Sequence, residues 1–207
     1  MLADSDVLLV TDVQNDFLPG GALAVPDGDA IVALINALAR RFPHVVLTQD
    51  WHAPGHHSFA STHGRPHFST IELPYGAQVL WPEHCVQGTH GAALASALDI
   101  PHAELIIRKG YRPHVDSYSA FCEADRRTRT GLGGYLRERG ITRIFLVGLA
   151  TDFCVHWSAV DGRHAGFEAI VIEDACRAID TQGSLDYAWR QMQGAGVERA
   201  TIASLQP

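Results

Sequence analysis

The chain has 207 residues, 46% of them hydrophobic and 19% charged, which suits one globular domain, expected over 1–207, with a substantial core. A formal net charge of −7 argues against nucleic acid or an anionic membrane as the main partner, and no run approaches the roughly 18 apolar residues of a membrane-spanning helix. No basic leader opens the sequence, and Cys85, Cys122, Cys154 and Cys176 lie far apart with no CxxC pair, so free thiols in a cytoplasmic protein are expected.

Short β-rich runs fall at 7–10, 45–48, 105–107, 144–147, 169–172 and 200–203. None alternates with polar residues, which predicts strands covered on both faces. Between them, Ile31, Leu34, Ile35 and Leu38, and later Leu185, Ala188, Trp189 and Met192, repeat at helical spacing. Strands alternating with helices predict right-handed βαβ units. The expected fold is therefore α/β, with three layers, α/β/α, around a mainly parallel, Rossmann-like sheet of about six strands. The stretches 51–90 and 110–131 break this rhythm, and irregular segments this long in a compact domain are usually functional.

A parallel sheet binds ligands beyond the carboxyl ends of its strands, so the residues after each run are informative. Thr11-Asp12 follows the first, Gln49-Asp50-Trp51-His52 the second, Arg108-Lys109-Gly110 the third, and Gly148-Leu149-Ala150-Thr151-Asp152-Phe153-Cys154 the fourth. Lys109 is the only lysine beside fifteen arginines. Arginine stays charged and presents a broad fork, whereas lysine is a compact point charge whose pKa shifts on burial; this one reads as a site residue rather than a solvated cation. Cys154 falls where a loop becomes a helix, and a helix N-terminus with a nearby cation lowers a thiol pKa. With Asp12 to move a proton, the three make a nucleophile, an acid–base group and an electrostatic partner. The bland readings are a core thiol for Cys154 and a turn cap for Asp12.

Twelve histidines are many, and six of them lie from His52 to His84. Asp50, His52 and His84 are oxygen and nitrogen donors that suit Zn²⁺, Mn²⁺ or Fe²⁺. His56 and His57 could add a ligand or bind substrate; His63, His67 and His90 read as solvated loop residues.

Thr11-Asp12-Val13-Gln14-Asn15-Asp16-Phe17, Asp50-Trp51-His52, Trp81-Pro82-Glu83-His84-Cys85, Arg108-Lys109-Gly110, Asp116-Ser117-Tyr118-Ser119-Ala120-Phe121 and Gly148-Leu149-Ala150-Thr151-Asp152-Phe153-Cys154-Val155 resemble, in order and over most of the chain, the motifs of bacterial nicotinamidases, or pyrazinamidases, of the isochorismatase-like cysteine hydrolases. The resemblance implies a triad of Asp12, Lys109 and Cys154. It implies one divalent metal ion per chain (Zn, Fe or Mn) on Asp50, His52 and His84. It also implies an oxyanion hole from the N–H groups of Ala150 and Cys154, with a cis peptide at Leu149–Ala150. Phe17, Trp81 and Tyr118 would line a ring pocket with His56, the choice between His56 and His57 staying open.

The activity so implied is hydrolysis of nicotinamide, and of pyrazinamide, to the acid and ammonia through a cysteine thioester. The expected partner is a small carboxamide, with no nucleic acid or membrane and with a homo-oligomer allowed. Three alternatives stand beside it: another small-amide hydrolase of the same superfamily, a metal hydrolase in which Cys154 is structural, and a binding module without turnover.

Overall fold

The apolar runs assemble into a sheet whose topology leaves one open crevice. In this computed structural model, residues 2–205 are described. Among them the strands are β1 (Asp6–Thr11), β2 (His44–Asp50), β3 (Thr70–Leu73), β4 (Gly76–Val79), β5 (Leu105–Lys109), β6 (Arg143–Leu149), β7 (Glu168–Arg177) and β8 (Glu198–Ala200). Six form one sheet in the order β5-β2-β1-β6-β7-β8, with every pair parallel. β3 and β4 make a separate antiparallel hairpin. The chain winds outward from β1 to β5, then returns to lay β6 on the other side of β1. That reversal parts the loops at the carboxyl ends of β1 and β6, where open α/β sheets hold their ligands.

The helices are α1 (Val32–Ala39), α2 (Ala60–His63), α3 (Leu132–Glu138), α4 (His156–His164) and α5 (Ser184–Gly194). Successive strand residues point to opposite faces, and both faces are covered. Leu8, Val10, Val45, Leu47 and Val147 pack with Val32, Ile35 and Leu38 of α1. Val7, Leu9, Val46, Ile144 and Leu146 pack with Leu132 and Leu136 of α3, Ala159 of α4, and Ala188 and Met192 of α5. Two-sided burial explains why the central strands lack polar alternation.

The expectation of two-sided cover fails at the sheet edges. β5 alternates half-buried and exposed residues, and Ile106 is 49% exposed, because an edge strand has only β2 as neighbour. The run at 200–203 is not a strand beyond Ala200. Thr201 and Ser204 cap each other's backbone and turn Ile202–Ser204 into a 3₁₀ turn, and Ile202 N–H donates to Asp174. In α1, Leu34 points outward and Val32 takes a core position instead.

The sheet comes closest to self-collision at the crevice. Gly148 has φ +112°, and a Cβ added there would lie 2.1 Å from the Thr11 carbonyl oxygen, its register partner on β1. The obstacle is backbone and cannot swing aside. Gly148→Ala should therefore lower unfolding stability by at least about 2 kcal/mol, from strain at that φ plus the overlap. Denaturant titration checks this, and a loss below about 0.5 kcal/mol would contradict the stated packing.

Candidate active site

The carboxyl ends of β1, β2, β5 and β6 bring their polar residues to one point. Lys109, the last residue of β5, is fully buried. Its Nζ donates to Asp50 Oδ1 at 3.0 Å, to the Ser117 carbonyl at 3.0 Å and to Cys154 Sγ at 3.3 Å. An ammonium has three hydrogens to give, and these contacts use all three. Asp12 Oδ2 lies 2.9 Å from the same nitrogen as its ion-pair partner. The other oxygen, Oδ1, accepts from the Thr48 hydroxyl at 2.5 Å. Asp12 sits in the left-handed region at φ 48°, its N–H donating to Thr48 Oγ1.

Electrostatics set the resting protonation. Burial opposes a charged Lys109, but the carboxylates of Asp12 and Asp50 outweigh it and hold the ammonium well above its ordinary pKa. Burial raises the pKa of Asp12, tempered by Lys109. Burial also pushes the Cys154 thiol well up; Lys109 opposes the shift, while Asp12 and Asp50 add to it. The expected lowering of the thiol is thus reversed. Two carboxylates and exclusion of water outweigh one cation, so the resting sulfur keeps its proton. Cys154 lies in a π-helical turn, Thr151–Val155, that leads into α4. The Leu149–Ala150 peptide before it is cis, as the resemblance implied.

Beside the trio, ligand atoms of Asp50, His52 and His84 all lie within 4.8 Å of one another. Asp50 Oδ2 is 3.0 Å from His52 Nε2 and 3.4 Å from His84 Nε2. The other ring nitrogens face acceptors: His52 Nδ1 lies 3.0 Å from the Gly110 carbonyl and His84 Nδ1 lies 2.8 Å from the Pro82 carbonyl. Both Nδ1 atoms therefore donate, and in the neutral rings both Nε2 lone pairs face the same carboxylate. Asp50 and Asp116 in the cleft wall and Asp12 behind them are three buried acidic side chains beside a single buried ammonium. Converging lone pairs and excess buried negative charge fit a divalent cation.

Phe17, Trp81, Tyr118, Phe153 and Ile179 line the cleft together with Ala150 and Cys154. Trp81 meets Phe153 edge-on at 4.8 Å, and its Nε1 donates to the Tyr118 hydroxyl at 3.0 Å. His56 does not line the cleft. It stacks 4.4 Å from His52, its Nε2 donates to the Arg112 carbonyl at 2.8 Å, and its Nδ1 lies 2.7 Å from the Ser58 hydroxyl. Its expected contact with substrate is replaced by support of His52. His57 also lies outside the cleft, beside His114, and His67 and His90 are exposed as expected.

Several positioning residues escape a reading of strand ends. Gln14 is fully buried; its amide nitrogen donates to the carbonyls of Asp50 and Ala92 and its oxygen accepts from Asp50 N–H, each at 2.8 Å. It thereby ties the exit of β1 to the end of β2. Asp16 accepts from Cys85 N–H at 2.7 Å, fixing the turn after His84. Asp152 accepts from Ile179 N–H, Asp180 N–H and the Ser184 hydroxyl, holding the loop that carries Ile179. Asp116 accepts from the Gln78 amide at 2.8 Å. Gln14, Asp16, Asp116 and Asp152 stand inside the quoted motifs, so the signal was adjacency to the reactive residues.

Burial, and next the neighbouring His52, lowers the His56 imidazole to about 4 from an ordinary value of about 6.5. Between those values the unfolded chain binds the proton and the folded one does not. The His56 contribution to stability is thus complete above about pH 6.5 and is lost as pH falls toward 4. Unfolding free energy measured across that window should fall on acidification, and His56→Asn should flatten the slope. An unchanged slope in that variant would refute the assignment.

Comparison with known proteins agrees with this geometry. A family model described as the isochorismatase domain matches residues 6–204. A nicotinamidase from Acinetobacter baylyi is 58% identical over 204 residues, covering 98% of this chain and 95% of its own. The solved structure of a nicotinamidase/pyrazinamidase from Acinetobacter baumanii is 56% identical, with a TM-score of 0.98 and 100% of both chains covered. A pyrazinamidase from Pyrococcus horikoshii, solved in complex with zinc, is 34% identical, with a TM-score of 0.79 and 96% and 99% of the two chains covered. On the sequence match, the fold and the ordered motifs together, the chain belongs to the isochorismatase family.

Proposed function

We propose that this chain is a metal-containing cysteine amidohydrolase that converts nicotinamide to nicotinate and ammonia, and pyrazinamide likewise, acting as one domain in the cytoplasm. The observation that carries the reading is the single buried nitrogen of Lys109, which touches Asp12, Asp50 and Cys154 at once. The kinship with nicotinamidases supports the substrate class. Among the described residues no helix is long and apolar enough to cross a membrane.

The ring of the substrate enters between Phe17 and Trp81, with its carboxamide over Cys154. The thiol proton passes to the Asp12 carboxylate, whose Oδ2 is ion-paired with the same Lys109 nitrogen that touches the sulfur. Burial raises the Asp12 carboxyl, which makes it a stronger base than an exposed carboxylate and offsets part of the burial that also raises the thiol, and Lys109 at 3.3 Å stabilises the forming thiolate. Sulfur attacks the carbonyl carbon, and the oxyanion lies toward the N–H groups of Ala150 and Cys154. Asp12 returns the proton to the departing nitrogen as ammonia leaves, giving a thioester. Asp12 next takes a proton from water, the resulting hydroxide attacks the thioester, and the acid leaves as the proton returns to sulfur.

Asp50, His52 and His84 would hold a divalent metal, Zn, Fe or Mn. When bound, it supplies a Lewis-acidic anchor for a ring nitrogen. Zinc in the Pyrococcus relative supports this choice of cofactor.

Cys154→Ala should fold normally and release no ammonia from nicotinamide. Lys109→Arg should lose at least about a hundredfold in kcat, because a planar fork cannot direct three donors to Asp50, Ser117 and Cys154 in a space closed to solvent. Near-normal turnover of either folded variant would sink the mechanism.

Substrate choice gives a second test. Nicotinamide and pyrazinamide both carry a ring nitrogen meta to the carboxamide, and benzamide has none. Aromatic walls treat the three rings alike, whereas a polar anchor rejects an analogue that lacks its partner. Benzamide should lose orders of magnitude in kcat/KM, and pyrazinamide should remain a substrate. Equal turnover of benzamide and nicotinamide would replace this reading with a general amidase.

A further inference from the structure

The histidines that the proposed reaction leaves over also come together. His57 Nε2 lies 3.1 Å from His114 Nδ1, with ring centres 4.5 Å apart and planes at 64°. His63 meets His57 edge-on, its ring centre 5.9 Å away. These residues come from two separate irregular segments, and the backbone pins them together. His57 N–H donates to the Pro113 carbonyl at 2.9 Å, and His63 Nε2 donates to the His57 carbonyl at 2.8 Å. His114 is exposed, and His57 and His63 are half-buried. His56 separates the group from the cleft, bonding the carbonyls of Arg112 and Val115 on the inner side of the same segment.

We propose that His57 and His114 form a second, solvent-facing site for a borderline transition-metal ion, apart from the cleft; only the set-up of its test rests on the proposed catalytic metal. Imidazole nitrogens about 2.0–2.1 Å from one ion stand about 2.9 Å apart at a right angle and about 3.4 Å apart at a tetrahedral angle. The observed 3.1 Å lies between these. Burial, and then the like-charged neighbours His114 and His63, lower the His57 pKa, so its ring is neutral and keeps a lone pair near neutral pH. In the metal-free pair one N–H hydrogen bridges the two facing nitrogens. On binding, that hydrogen moves to the far nitrogen of its own ring, both facing lone pairs become free, and no proton is lost. Two imidazoles with no carboxylate between them favour Ni²⁺, Cu²⁺ or Zn²⁺ over Mg²⁺, Ca²⁺ or Mn²⁺. Water completes the coordination.

The test uses tag-free protein already loaded with one equivalent of its catalytic metal, titrated with Ni²⁺ alone by calorimetry. A second binding event is expected. His114→Ala should weaken it at least tenfold while leaving nicotinamide hydrolysis unchanged, and His57→Asn should weaken it to a similar extent. Absence of a second event in the parent protein would overturn the proposal, as would unchanged Ni²⁺ affinity in either variant.

Discussion

The buried ammonium of Lys109 is the constraint on which the rest of the site depends. Removing a charged amine from water costs several kcal/mol unless each of its hydrogens finds an acceptor and its charge a counter-ion. Here each acceptor comes from a different part of the chain: Asp50 from the end of β2, the Ser117 carbonyl from the irregular segment after β5, and Cys154 from the turn before α4. The counter-ion Asp12 comes from the end of β1. Losing any one of these contacts would leave a buried donor or charge without its partner. The ammonium thus holds strand ends, loop and helix start in one relative position, and the loop geometry around it is a condition for folding as much as for chemistry.

That position has consequences for neighbouring atoms. Gly110 follows Lys109 at φ +64°, and a Cβ there would meet His52 Cε1 at 2.7 Å, so the backbone that presents the ammonium also presents the carbonyl that orients His52. The parallel bridge between His52 and Val86 lays the following segment alongside, which brings His84 to the same carboxylate. Asp50 consequently serves two centres, with one oxygen on Lys109 and the other toward the histidines. A cation on the histidine side would draw charge from the oxygen shared with neither Asp12 nor Cys154, which couples the metal site to the nucleophile electrostatically through one side chain.

Much of this was legible in the sequence because a parallel sheet collects the ends of its strands. Asp12, Asp50, Lys109 and Cys154 each follow an apolar run, and their convergence needed no knowledge of contacts. The edge position of β5 was not legible, since Leu105-Ile106-Ile107 reads like any buried run and only strand order exposes Ile106. The sign of the Cys154 shift was missed because sequence shows a cation nearby but neither the depth of burial nor the two carboxylates that oppose it. The engagement of both His56 nitrogens depends in part on the Arg112 and Val115 carbonyls more than fifty residues away, which no local pattern encodes. Gln14 illustrates the same limit: its amide works as a piece of β ladder against the Asp50 backbone, a role visible only once β1 and β2 lie side by side.

The contrast between Arg108 and Lys109 shows how the edge strand divides its two cations. Arg108 turns outward, its guanidinium carbon 3.8 Å from the centre of the Trp51 ring, while Lys109 turns inward and has no exposed surface. Because no other lysine exists in the chain, the folded protein offers amine-directed reagents no accessible side-chain amine. Lysine-directed coupling, biotinylation or cross-linking would find no target side chain in the native molecule, and modification of the ε-amine would mark only chains that have opened.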